Sequence, residues 1–442
     1  MKPLFDWDSN DEFFKFTRGR FIVDEVESLQ RREIKFDMNT VARVAADSVG
    51  AAECISVTKY PDGMFNKTFL MTMEDGREVV AKVPNPNAGV LHFTTASEVA
   101  TMDFASRILG TPAPHVHAWN SQAKSHPVGA EFIIMDKVEG VPLSQIWSTM
   151  QLHQRLKVII AMTMQKKWLS VSFSHYGSLY YAGYAQSSAG SHYVKDGMAV
   201  KHSRFDIGRA TGRDWFDADR LSLDIERGPY PHNPERITGI IDWQCCHISP
   251  LFNHNPDPAF LDWGGLEPET LGLAPRPTLS GLSAEERSAA MREYTIQNVF
   301  LGWRKLMQGK SPDLYYAVEF RKTTAYELIF LAHRMFEYGE AHFLSLLVDL
   351  KDTWADLSGI TSDIPFPVDF SEMDIERIKL GSDDAAAGTE LVSEVKEELG
   401  DLWPDKGLIE HERYDGCKAA LDEVKGQVLE QLAEADEERA KY

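Results

Sequence analysis

Along the first third of this chain the apolar positions change period several times, and each change marks an element. Val41, Val44 and Ala45 fall on one face across residues 40–52, which predicts a helix. Ile55-Ser56-Val57-Thr58-Lys59-Tyr60 reads as a strand, Pro61-Asp62-Gly63 turns the chain, and a second strand runs from Lys67 to Met73. Asp75-Gly76 makes a hairpin turn into a third strand, Glu78-Val79-Val80-Ala81-Lys82-Val83. Thr95 to Leu109 is helical and is stopped by Gly110-Thr111-Pro112-Ala113-Pro114. Phe132-Ile133-Ile134-Met135 is a buried strand that runs into the hinge-like Asp136-Lys137-Val138-Glu139-Gly140. Three strands, a helix and further strands predict a small α+β lobe over 39–138.

Beyond Gly140 the pattern changes to long helices. One is predicted over 151–170, and another starts at Ser283, where Ser283 and Glu286 fit a capping box. Near the end, Leu421, Val424, Val428, Leu429 and Leu432 share one helical face. These features divide the chain into an N-terminal extension (1–38), the small lobe (39–138), a larger helical lobe (139–380) and an acidic helical tail (381–442). The extension is aromatic and charged and is expected to wrap on a neighbouring surface.

Composition narrows the partners. The 442 residues carry a formal charge of −21, which argues against nucleic acid and anionic membranes as ligands. ATP stays open, because a pocket can be locally positive. No run approaches the roughly 20 apolar residues of a membrane span. The cysteines, at 54, 245, 246 and 417, fit neither a disulfide framework nor zinc spacing. An acidic start without a hydrophobic signal core predicts a cytoplasmic protein.

Candidate chemistry sits on the small lobe. ATP chemistry needs a cover for the phosphates, a cation on their oxygens, an anion to place that cation, and a carboxylate for magnesium. Gly63-Met64-Phe65-Asn66-Lys67 offers backbone amides as a cover, although a plain hairpin turn is as good a reading. Lys82 stands in an otherwise apolar strand, and Glu98, on the next helix, is its candidate partner; an ordinary strand–helix ion pair is the plainer alternative. Ile237-Thr238-Gly239-Ile240-Ile241-Asp242 ends an apolar strand in a carboxylate, where ligands bind but where turn-forming Asp is also common. The aromatic run from Trp168 to Tyr184 suits core packing better than an acceptor pocket.

The order of these parts resembles the phosphotransferase-enzyme family, which includes aminoglycoside phosphotransferases and choline kinases. More narrowly, it resembles the fungal branch containing Altered inheritance of mitochondria protein 9. The resemblance is carried by Gly63-Met64-Phe65-Asn66-Lys67, Val83-Pro84-Asn85-Pro86-Asn87-Ala88-Gly89, Thr94 to Met102, Pro127 to Glu131, Ser174 to Tyr180 and Ile237 to Gln244, and it runs over nearly the whole chain. It implies a protein-kinase-like two-lobe fold with a shortened second lobe, an ATP and magnesium requirement, and an unidentified small hydroxyl-bearing acceptor. In that family Gly63, Phe65 and Asn66 would cover the phosphates and Lys82 would hold them. Glu98 would pair with Lys82, Met135 would meet the adenine, and Asp242 would bind magnesium. The family name also points to mitochondria as an alternative compartment.

One departure is as specific as the match. None of the 14 histidines is followed two residues later by Asp, so the family's His-x-Asp-x-x-x-x-Asn catalytic loop is missing. The text passes from Arg227-Gly228-Pro229 almost directly to Asn233-Pro234-Glu235, with no group to orient an acceptor hydroxyl. No catalytic residue is therefore assigned. The sequence implies a phosphotransferase by ancestry that is catalytically deficient as it stands. The alternatives are a non-catalytic nucleotide-binding or scaffold protein, or an active enzyme whose sequence here is incomplete near residue 230.

Overall fold

The structure, a computed structural model, describes residues 6–141, 143–162, 165–185, 191–216, 230–231, 248–258, 261, 263, 270–356 and 365–432. Its helices and strands form a mixed α+β architecture, as the sequence predicts. The main elements in chain order are α1 (Met38–Val49), β1 (Cys54–Lys59), β2 (Asn66–Met73), β3 (Glu78–Pro84), α2 (Phe93–Arg107), β4 (Val116–Asn120) and β5 (Phe132–Asp136). Then follow α3 (Leu152–Met162), β6 (Ser178–Tyr181), β7 (Phe205–Gly208), α4 (Ala284–Lys310), α5 (Pro312–Phe320), α6 (Ala341–Thr353), α7 (Glu372–Leu399) and α8 (Tyr414–Leu432). Of the helix predicted over 151–170, Leu152–Met162 (α3) and Gln165–Trp168 are helical among the described residues.

The chain divides into two compact units. The first comprises 1–89, 117–135 and 327–442, and the second 90–116 and 136–326. The first is built on a five-stranded sheet of order β1-β2-β3-β5-β4. Strict alternation sets its register: Phe69, Met71 and Met73 of β2 and Val79, Ala81 and Val83 of β3 are buried on one face, and Met71 pairs with Val79. Helix α1 covers that face with Val41 and Ala45. It begins at Asp37, whose carboxylate accepts from Thr40 N at 2.6 Å, and ends at Gly50 in the left-handed conformation. Residues of the N-terminal extension complete the same core, with Phe13 and Phe36 edge-on to Phe69 at 5.5 and 6.1 Å. The acidic helices α6 and α7 pack together, and α7 also meets α8.

The second unit has two cores. In one, Phe104 of α2 lies among Phe173, Tyr193 and Phe205 at ring separations of 5.3–5.6 Å. Tyr180 is fully buried and donates to Arg209 O at 2.6 Å, so the aromatic run from 168 supplies core packing here. The other core joins Ile159 of α3 to Val299, Trp303 and Met307 of α4 and Leu314 of α5. Helix α4 starts with the predicted capping box, Ser283 and Glu286 each accepting from the other's backbone N–H. Inside, Arg304 and Trp303 Nε1 both bond Asp257, which neutralises a guanidinium that is only 2% exposed. Among the described residues no helix is long and apolar enough to cross a membrane.

Candidate functional site

The turn between β1 and β2 is held from both sides. Behind it, Asn85 N donates to Phe65 O at 2.9 Å and Asn87 Nδ2 reaches Met64 O at 3.3 Å. The segment after β3 therefore fixes the backbone of residues 64–65. Asn66 opens β2 opposite Pro84. Gly63 has no positive φ, and a Cβ there would meet only Asn66 O, at 3.5 Å. The fold would accept a side chain at this position, so the turn itself does not demand glycine.

On the other side lies a buried ionic cluster that the sequence reading did not single out. Asp62 is shut off from solvent and its Oδ2 accepts from Lys59 Nζ at 2.7 Å and from both the N–H and hydroxyl of Thr17 at 2.8 Å. Lys67, fully buried on the core face of β2, lies 3.5 Å from Asp62 Oδ1 and donates to Lys15 O at 2.8 Å. Burial pushes the Lys67 ammonium down to about 8, against the opposing pull of Asp62, with Lys59 adding to the depression. The signal was present in the alternation, because Lys67 has the parity of Phe69, Met71 and Met73.

Lys82 has the opposite parity. It stands on the half-exposed face of β3, paired in register with Thr68, while its neighbours Ala81 and Val83 face the core. Met135 is half-buried near the end of β5, and the chain passes from the first unit to the second between Met135 and Asp136. Glu98 is buried on α2, which is enclosed almost all round from Thr94 to Met102. Lys82 belongs to the first unit and Glu98 to the second, and both residues have interaction partners. Asp242, and the strand expected to end in it, lie outside the described residues, as does the departure near 230 apart from Tyr230 and Pro231. Among the described residues no group of three metal-ligating side chains occurs. The free thiols of Cys54 and Cys417 are buried.

No family model matches the chain. It is 34% identical over 249 residues to a subtelomeric hrmA-associated cluster protein of Aspergillus fumigatus, a match covering 55% of this chain and 42% of that protein. It is 31% identical over 222 residues to the mitochondrial protein Altered inheritance of mitochondria protein 9 of Debaryomyces hansenii, covering 38% of this chain and 35% of that one. The chain thus spans less than half the length of these curated relatives. A crystal structure from Thermobifida fusca assigned as a fructosamine-3-kinase is 13% identical, with a TM-score of 0.28 over 70% of this chain and 96% of the other.

Proposed function

We propose that this chain is a kinase-like nucleotide-binding protein, descended from small-molecule phosphotransferases, that holds Mg-ATP without transferring its γ-phosphoryl group. The observation that carries the reading is the placement of Lys82. It projects from the half-exposed face of the third strand, after a backbone-anchored turn between the first two strands. Kinase-like enzymes use a strand lysine on the α/β phosphates and a glutamate of the following helix to position it. By the family resemblance that glutamate would be Glu98, Gly63, Phe65 and Asn66 would cover the phosphates, and Met135 would meet the adenine.

The residues present fit a nucleotide in one respect that the fold alone does not require, since Lys82 places an ammonium on the half-exposed face of its strand and Gly63 leaves room for close backbone approach. Magnesium would rest on Asp242 together with the nucleotide's own phosphates, the usual arrangement for this ion. What the chain lacks is the Asp of a His-x-Asp-x-x-x-x-Asn loop, so an acceptor hydroxyl finds no base. Phosphorus NMR of Mg-ATP with the full chain tests this directly. Shifted phosphate resonances without ADP accumulation are expected; ADP production abolished by Lys82→Ala would overturn the non-transfer reading.

A second reading has its own support. The jump from Pro229 to Asn233 and the 42% coverage of the Aspergillus relative suit an active phosphotransferase, acting on a small hydroxyl-bearing acceptor, whose sequence here lacks an internal segment. The intact mass of the protein from its native source separates the two. A mass near 49.9 kDa supports the non-transferring binder, and one several kilodaltons higher the complete enzyme. For either reading, the mitochondrial names of the matched fungal proteins favour that compartment over the cytoplasm.

A further inference from the structure

The second unit contains a cavity of about 870 Å³ between the segment Trp147–Arg155 and the first half of α4. Its floor is apolar, with Met291 and Val299 of α4 and Leu261 among the lining residues. Three arginines, Arg155, Arg287 and Arg292, also line it, and among the described residues no carboxylate does. In a chain of net charge −21 this concentration of one sign is against the average. Arg155 lies over the Trp147 ring at 5.3 Å and donates from Nη2 to Ser148 O at 2.9 Å. Its Nε is shut off from solvent and has no hydrogen-bond partner among the described residues. A buried donor left in this way carries an energetic cost that an incoming acceptor would remove. Arg287 and Arg292 make only local bonds, to Leu282 O and Ser288 Oγ, and no ion pair among the described residues.

We propose that this cavity is a binding site for an anionic small molecule with a flat or chain-like apolar body, such as an aryl or acyl group bearing a phosphate or carboxylate. The volume lies in the range of small-ligand sites. Apolar walls take the body, Trp147 offers a face for stacking, and the guanidiniums take the anion, where planar two-point hydrogen bonding suits both phosphate and carboxylate. Gly63, Phe65, Asn66, Lys82, Glu98 and Met135 are not among the residues that line this cavity, so the proposal does not rest on the nucleotide reading.

The test is calorimetric titration of the full chain with 1-naphthyl phosphate, 1-naphthoate, 1-naphthol and inorganic phosphate. One naphthyl anion per chain is expected, with naphthol weaker by roughly tenfold or more for want of the charge-assisted contact and inorganic phosphate likewise for want of the apolar body. The phosphate and carboxylate probes rank the two anion sources. Arg155→Met should weaken the naphthyl anion by about the same factor without changing naphthol binding, which a merely structural role would not produce. Arg287→Gln, exposed and easily tolerated, serves as the second variant. Absence of naphthyl-anion binding, or equal affinity in both variants and the wild type, would overturn the proposal.

Discussion

The ammonium of Lys67 and the carboxylate of Asp62 lie 3.5 Å apart with both side chains fully excluded from solvent. Asp62 also serves Lys59 and Thr17, so one carboxylate balances two lysines and ties the N-terminal extension to the turn that precedes β2. Lys15 contributes only its carbonyl, which accepts from both lysines at 2.8 Å. The pair sits immediately before and at the end of the turn proposed to cover the nucleotide.

Removing the anion should therefore be costly. Asp62→Asn keeps the shape and the Thr17 contacts but leaves two ammoniums facing a neutral amide. A loss of about 3 kcal/mol at pH 7 is expected from breaking a buried pair on one side. Urea denaturation of variant and wild type measures it, and the loss should shrink at pH 10, where Lys67 gives up its proton.

Lys67 itself gives a pH signature. Its folded pKa of about 8 lies below the ordinary lysine value, so the unfolded chain binds this proton more tightly. Stability from this group is therefore lowest below pH 8 and rises as pH climbs from about 8 toward the unfolded value. Between pH 7 and 10 the wild type should gain about 2 kcal/mol relative to Lys67→Met, which has no proton to lose. Parallel denaturation curves at the two pH values check the sign as well as the size.

The second unit offers a steric test. A Cβ on Gly208 would come within 2.5 Å of Ala185 O and 2.9 Å of the Tyr180 ring, and Tyr180 is locked by its bond to Arg209 O. Gly208→Ala should lower stability by about 2 kcal/mol through overpacking, visible as an earlier thermal transition. Gly63→Ala should not, because a Cβ there meets ordinary space; any effect of that change should be on nucleotide affinity.

The first three strands of the sheet were legible because alternation in β2 and β3 is strict and the hairpin between them is short. That same alternation marks Lys67 as core-facing and Lys82 as outward-facing, a distinction obscured when Lys82 is judged only by its apolar neighbours. Asp62 as the counter-ion was beyond reach of pattern reasoning, since Thr17, which donates to it, and Lys15, whose carbonyl accepts from the two lysines, belong to a distant segment. The arginine-lined cavity is likewise invisible in the sequence. Trp147, Arg155 and Arg287 lie on segments that only tertiary packing brings together. The aromatic run from Trp168 was read correctly as core because large rings need burial more often than they line pockets.

The central claim rests on Lys82, and calorimetric titration of the full chain with Mg-ATP tests it most directly. One nucleotide per wild-type chain is predicted, with binding abolished in Lys82→Ala while the thermal transition stays unchanged. Failure of the wild type to bind, or equal binding by Lys82→Ala, would contradict the account.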